Sequence, residues 1–363
     1  MRLRFTIFFS VLLGLYAVNL TAAPASPFLR AVWTHPGFYG SGETAAAAKM
    51  RTTFEAYRNA GISHVILLVK STSGYVYYPT RLGAVDPAYA GWDFLGTFLR
   101  EAAPFGLIVH PWFCVFHETG IVGRIREHPE WLIRGSRGEF VGSANPALPE
   151  ARAYERGLML EVAEKYPVSW IHLDYIRFPC EPAEPSFSYD NRTQALFKEH
   201  SGTTPGEMRA KDTGNMMWDE WLDWNADRVT LFVRELRDDL RKLSRPVKIS
   251  AAVFPAADKA KVMIGQDWAL WTQEGLIDML CPMLYTNHLG FFEKYARQAV
   301  EIGRGRTLIC PGIGIGTSHN QNTPEGMMAE VKISRVVGAQ GVVFFSSSSL
   351  GEAFLAALTK DRQ

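Results

Sequence analysis

The chain has 363 residues, 47% of them hydrophobic, and 38 basic side chains against 37 acidic ones give a formal net charge of +1. That is enough apolar material for one large core, and α/β barrels of this size fold as one domain. The near-neutral balance and the lack of a long basic tract exclude a nucleic-acid footprint and argue against an anionic membrane surface as partner.

Taken from the N-terminus, Arg2 and Arg4 precede a mostly apolar run from Phe5 to Leu20, and small residues follow from Thr21 to Ser26. This is the anatomy of a secretory signal peptide. Residues 1–25 read as the signal and 26–363 as the mature domain, with cleavage after Ala25 satisfying the small-x-small rule and Ala22 or Ala23 as alternatives. An uncleaved anchor is the competing reading, but the apolar run is short for a span. The expectation is a periplasmic or secreted protein without a stable membrane anchor once the signal is removed. Such a compartment permits disulfides. The four cysteines, Cys114, Cys180, Cys281 and Cys310, form no CxxC pair, so they read as buried or partly buried thiols, with a Cys114–Cys180 bridge conceivable.

Eight strands are predicted: Arg30 to His35, His64 to Lys70, Leu107 to Phe116, Ser169 to Asp174, Val247 to Phe254, Asp278 to Tyr285, Thr307 to Ile315 and Gly341 to Ser348. Helices are predicted over Glu43–Asn59, Trp92–Ala103, Glu150–Tyr166, Trp218–Leu243, Phe291–Ile302, Pro324–Val337 and Glu352–Leu358, and Trp268–Glu274 begins a helical or irregular segment. Long insertions follow strands three and four, over residues 117–149 and 180–215. Alternating apolar strands and helices predict a parallel sheet, and eight units predict a closed (β/α)8 TIM barrel. The rival is an open doubly wound sheet, but Pro36 to Gly42 lacks the G-x-G-x-x-G turn that often marks a nucleotide-binding sheet.

In a barrel, chemistry gathers at the C-terminal ends of the strands. The stretch S-W-I-H-L-D-Y-I-R-F-P, Ser169 to Pro179, places His172 and Asp174 on one strand face and Arg177 just beyond it. A carboxylate ringed by His, Tyr, Trp and Arg suits acetal hydrolysis. Asp174 is the candidate nucleophile or base. Asp267 is the first candidate for the acid, since the W-A-L-W that follows it could raise its pKa by desolvation, and Asp258, Glu118 and Glu181 are the other loop carboxylates open to that role. Trp33, Lys70, His110, Trp112, His172, Arg177, Trp268 and Tyr285 are the candidate substrate-binding groups. No cofactor or metal is called for, although His110, His172 and Asp174 would be the set for a metal-dependent deacetylase. A carbohydrate-binding barrel without turnover is the other alternative.

Six segments carry a resemblance: R-A-V-W-T-H (30–35), H-P-W-F (110–113), H-P-E-W-L (128–132), H-L-D-Y-I-R-F-P (172–179), Q-D-W-A-L-W (266–271) and D-M-L-C-P-M-L-Y-T (278–286). The sequence resembles the glycosyl-hydrolase-like family 10 proteins, exported bacterial TIM-barrel proteins, some of them linked to cell-wall or polysaccharide glycans. The resemblance implies a barrel with Asp174 in the site and Arg177, Asp267 and Tyr285 as pocket members. The expected substrate is a bacterial polysaccharide or peptidoglycan glycan. The D-x-x-D-x-D-x-E pattern of chitinase-like barrels is absent.

Overall fold

His64–Lys70 is buried at every position, as a parallel strand covered on both faces must be. It is the second strand of a curled parallel sheet. In chain order the strands are β1 (Leu29–Thr34), β2 (His64–Lys70), β3 (Ile108–Cys114), β4 (Trp170–Asp174), β5 (Lys248–Val253), β6 (Met279–Pro282), β7 in two pieces (Leu308–Ile309 and Gly312–Gly314) and β8 (Gly341–Phe345). The computed structural model describes residues 28–180, 187–205 and 216–362. The signal-peptide reading of residues 1–25, and the loop residue Glu181, lie outside the described residues.

Each strand pairs in parallel with its neighbours, and β1 pairs with both β2 and β8. Closure falls to β7. Its first piece pairs with β6 and its second with β8, and an isolated bridge joins Met283 to Gly312. The predicted single strand is divided at Cys310-Pro311, where proline has no N–H to give to the ladder. The sheet thus closes as a (β/α)8 barrel, ringed by α1 (Glu43–Asn59), α2 (Phe94–Ala102), α3 (Pro149–Lys165), α4 (Met216–Arg241), α5 (Trp268–Gln273), α6 (Leu289–Gly303), α7 (Pro324–Val336) and α8 (Glu352–Lys360). After β3 an excursion carries the antiparallel hairpin Leu132–Arg134 with Phe140–Ala144. After β4 comes the helix Asn191–Ser201.

Side chains alternate along each strand. Val65, Leu67, Val69, Ile171, Leu173, Ile249 and Leu280 face outward into the helix layer. Ala31, Trp33, Ile66, Leu68, Trp112, Trp170, Ala252, Met279 and Val343 fill the interior. Trp33 fits because β7 offers no side chain opposite it: a Cβ at Gly312 would lie 3.1 Å from the tip of the indole. The four cysteines carry no disulfide; Cys114, Cys281 and Cys310 are buried and Cys180 is exposed.

Three imidazoles share this interior. The Trp33 indole N–H donates to His172 Nε2 at 3.1 Å. His172 Nδ1 meets Ser250 Oγ at 2.9 Å, and Ser250 Oγ meets His110 Nδ1 at 2.9 Å. His110 Nε2 meets His64 Nδ1 at 2.9 Å, and His110 stacks on Trp170 with ring centroids 4.5 Å apart. Burial disfavours the imidazolium of all three: His172 is pushed down to about 3, His64 to about 4 with help from Lys248, and His110 well below the usual range. A neutral His172 whose Nε2 accepts must carry its proton on Nδ1 and give it to Ser250. The serine hydroxyl lies 3.5 Å from the Ile171 carbonyl and far closer to His110, so it donates to His110 Nδ1, and His110 Nε2–H donates to His64. Nitrogen NMR of selectively labelled histidine should therefore find His172 as the Nδ1–H tautomer and His110 as the Nε2–H tautomer. The reverse assignment at either ring would show that the chain does not run in this direction.

Candidate active site

A cavity of about 360 Å³ opens at the C-terminal ends of the strands. Its walls are Trp33 and His35 from β1 and its end, Leu68, Ser71 and Thr72 from β2 and its loop, Trp112 and Cys114 from β3, Asp174, Tyr175 and Arg177 from β4 and beyond, Ala252, Met283, Tyr285 and Phe345. Trp33, His35, Trp112, Tyr175, Tyr285 and Phe345 bring aromatic rings to these walls. Tyr285 stacks on Phe345 at 5.3 Å, and His35 packs against Trp112 at 5.0 Å. Such faces suit the C–H faces of a sugar ring.

Asp174 ends β4 on its inward face, above His172. It is the one carboxylate among the described residues that lines the cavity. Tyr175 follows in the left-handed region with φ 50°, uncommon for an aromatic residue and a frequent mark of functional positions. That turn aims the Tyr175 N–H at Asp174 Oδ1, 2.7 Å away. Burial drives the Asp174 carboxyl up from 3.8 to about 6, against the opposing pull of Arg177, the Tyr175 N–H and Trp112. Trp112 Nε1 is itself buried with no well-formed hydrogen bond, so its influence on Asp174 is that of a nearby donor. At a pH near 6 Asp174 is present in both forms and can give or take a proton.

Arg177 rests against the rings of Tyr175 and Phe254, at 4.5 and 4.9 Å, and its Nη1 reaches Cys180 Sγ at 3.6 Å. His35 is held neutral by burial, which lowers its pKa.

The structure brings Trp33, Trp112, Asp174, Arg177 and Tyr285 to one cavity and leaves the other candidates elsewhere. His110 and His172 face inward but lie below the floor, with both nitrogens of each ring engaged in the hydrogen-bond chain. They do not converge with Asp174 on a metal position, and among the described residues no cluster of three His, Cys, Asp or Glu could hold one.

Lys70 is fully buried and faces away from the cavity. The register between β2 and β3 slips after Leu68, and such a bulge re-aims a side chain. Its Nζ reaches Glu118 at 2.8 Å and Glu155 of α3 at 3.0 Å, and donates to the carbonyls of Cys114 and Val115 at 3.0 and 2.8 Å. Burial pushes the Glu155 carboxyl well above its usual range, against the opposing pull of Lys70 and with the neighbouring Glu118 adding to the rise. The strand-two loop closes tightly over this group, since a Cβ on Gly74 would lie 1.9 Å from Glu118 Oε2. Lys70 therefore anchors loops behind the site.

Asp267 is a helix cap. Its Oδ1 accepts from Leu270 N at 3.1 Å at the start of α5, and Lys261 lies 3.6 Å from its other oxygen. Trp268 is fully buried in the outer layer and donates to the Phe254 carbonyl at 3.1 Å. Neither lines the cavity. The sequence reading placed no weight on Cys114 or Met283 as cavity walls, although period-2 alternation from Trp112 and Cys281 carries both inward.

The pattern of the glycosyl hydrolase-like 10 family matches residues 29–322, and the chain belongs to that family. It is 21% identical to glycosyl hydrolase YngK of Bacillus subtilis (strain 168) over 323 residues, covering 78% of this chain and 59% of the relative. It is 22% identical to glycosyl hydrolase DigH of Escherichia coli (strain K12) over 228 residues, covering 54% of this chain and 46% of the relative. The chain thus spans about half to three-fifths of the length of these relatives. Among solved structures, the glycoside hydrolase domain of PgaB (BpsB) from Bordetella bronchiseptica superposes with a TM-score of 0.71 at 14% identity, covering 92% of this chain and 98% of that one. The catalytic domain of β-amylase from Paenibacillus polymyxa gives 0.62 at 11% identity, covering 93% and 98%. At these identities the likeness establishes the barrel fold.

The raised Asp174 carboxyl has a thermodynamic consequence. Folding tightens its hold on a proton, so the stabilisation is complete below pH 3.8 and is lost as the pH rises through about 6. Above that, the folded state carries a buried charge that costs on the order of 3 kcal/mol. Asp174→Asn should therefore be more stable than wild type at pH 8 by up to about 3 kcal/mol, with the gain shrinking toward pH 4, in urea denaturation at each pH. A variant less stable than wild type at pH 8 would mark Asp174 as a structural carboxylate instead.

Proposed function

We infer that the chain is an exported glycoside hydrolase acting on a bacterial polysaccharide or peptidoglycan glycan, with Asp174 as its acid–base residue. The observation that carries this reading is a single carboxyl, desolvated until it holds its proton to about pH 6, in an aromatic-walled cavity at the barrel mouth. Family membership supports hydrolase chemistry, and the residue pattern over 1–25 supports export. Protonated Asp174 would give its proton to the glycosidic oxygen as the C–O bond breaks, with the bonding pair leaving on that oxygen. The resulting oxocarbenium-like centre takes up water, and the carboxylate recovers a proton from it. Neutral His35 and the rings of Trp112, Tyr285 and Phe345 would hold the sugar and keep bulk water out.

That the cavity's described walls supply one carboxylate, where glycosidases usually pair two, favours a second reading: a glycan-binding barrel without turnover. The two separate in one experiment. Purified mature protein and Asp174→Asn are incubated with intact and peptide-stripped peptidoglycan and several exopolysaccharides, and released fragments are read by mass spectrometry. The expected outcome is fragments from wild type alone, with the variant slower by a factor of at least about 100 and wild-type kcat/KM falling above pH 6 as Asp174 loses its proton. Binding by both proteins with release by neither would replace hydrolysis with recognition.

A further inference from the structure

Among the described residues four arginines are less than a tenth exposed: Arg30, Arg152, Arg177 and Arg237. Three of them hold a carboxylate. Arg30 pairs with Asp361, Arg152 with Glu235 at 3.0 Å and Arg237 with Asp278 at 2.6 Å. Arg177 stands apart: among the described residues no carboxylate lies within ion-pair distance of it. Among the described residues its hydrogen-bond partner is the Cys180 sulfur, a weak acceptor, and its Nε is buried without one. A guanidinium so far removed from water is rarely left unpaired. The rings of Tyr175 and Phe254 fix its position, and it lines the cavity that holds Asp174.

We propose that Arg177 is the docking point for a carboxylate carried by the substrate, so that the site selects glycans containing an acidic sugar. The proposal rests on the glycan reading of the cavity. A guanidinium edge matches a carboxylate with two parallel N–H donors. Apart from Asp174, the cavity's described walls offer no anion to compete for Arg177.

The docking also has a consequence for Asp174. In the empty site the positive charge of Arg177 opposes the effect of burial and favours the ionised carboxyl. A substrate carboxylate on Arg177 cancels that charge and brings a negative one, so Asp174 keeps its proton to higher pH. An acidic substrate thereby readies the acid that would act on it.

The test uses the intact mature protein and matched probes, methyl β-D-glucuronoside and methyl β-D-glucoside, titrated by calorimetry. Wild type should bind the acidic probe at least about tenfold more tightly. Arg177→Met should bring the two within about twofold, and Arg177→Lys should keep part of the preference, since it retains the charge without the fork. A glucoside bearing an ether-linked carboxylate at C3 tells a ring-borne from a side-chain carboxylate: tighter binding of either acidic probe supports the proposal and names the source. In carbon-labelled protein, the Asp174 carboxyl should titrate about one unit higher with acidic probe bound, and Arg177→Met should abolish the shift. Equal affinity of wild type for the neutral and acidic probes, or binding of none, overturns the proposal. Because the readout is binding, a protein that prefers acidic probes yet releases no fragments would sink the hydrolase reading and leave this one standing.

Discussion

Two histidines, His110 and His172, are fully buried in the middle of the barrel, and His64 joins them at its lower edge. That is tenable only because each nitrogen facing a partner is matched by one of opposite character, and because all three rings stay neutral. A single buried imidazolium would cost several kcal/mol. The Trp33 indole breaks the symmetry: it can only donate, so the ring below it must accept. From there Ser250, on the neighbouring strand β5, passes the direction on through His110 to His64 near the opposite end. The floor of the cavity is therefore held by a polar chain with one allowed orientation, braced by the stacking of His110 on Trp170.

The mouth inherits its properties from that layer. Trp170, His172 and Asp174 share the inward face of β4. The middle residue is tied to Trp33, itself a wall of the cavity, so the aspartate is set at a fixed height above a buried floor. Desolvation then comes from packing rather than from any special neighbour, and it is the largest influence on the Asp174 carboxyl. The turn at Tyr175, with its positive φ, returns one hydrogen bond to the same carboxyl. The loops around the mouth rest on a second buried group, Lys70 with Glu118 and Glu155, which joins the strand-two and strand-three loops to α3. One layer sets the floor and the other the rim.

How much of this was legible in the sequence follows from what periodicity can and cannot encode. Alternation along H-V-I-L-L-V-K and W-I-H-L-D gives strands and faces, so the barrel and the inward aim of His110, His172 and Asp174 are readable. It gives no depth. Whether an inward residue lines the cavity or lies beneath it depends on the stagger between strands, here Trp112 opposite His172 and His172 opposite Ser250. Lys70 escaped because one slipped residue pair reverses a side chain, and its partner Glu155 is 85 residues away. Asp267 is a different case. An aspartate directly before a helix is a capping signal, and Q-D-W-A-L-W carried it. The tryptophans after it pack outward with the helix and leave the carboxyl to the backbone.

The spacing between Arg177 and Asp174 is the feature the chemistry depends on most closely. Two unit charges 4 Å apart interact by about 4 kcal/mol at an effective dielectric constant near 20. That is roughly three units of pKa, more than the rise that leaves Asp174 at about 6. An arginine in direct contact would therefore hold the aspartate ionised across the whole neutral range and leave no proton for a leaving oxygen. An arginine absent altogether would let burial lift the carboxyl further and weaken it as a base. In this barrel the guanidinium is kept on the cavity wall by two aromatic rings, beyond ion-pair distance from Asp174 but near enough to temper it. The rings hold the cation without neutralising it, which a carboxylate in their place could not do.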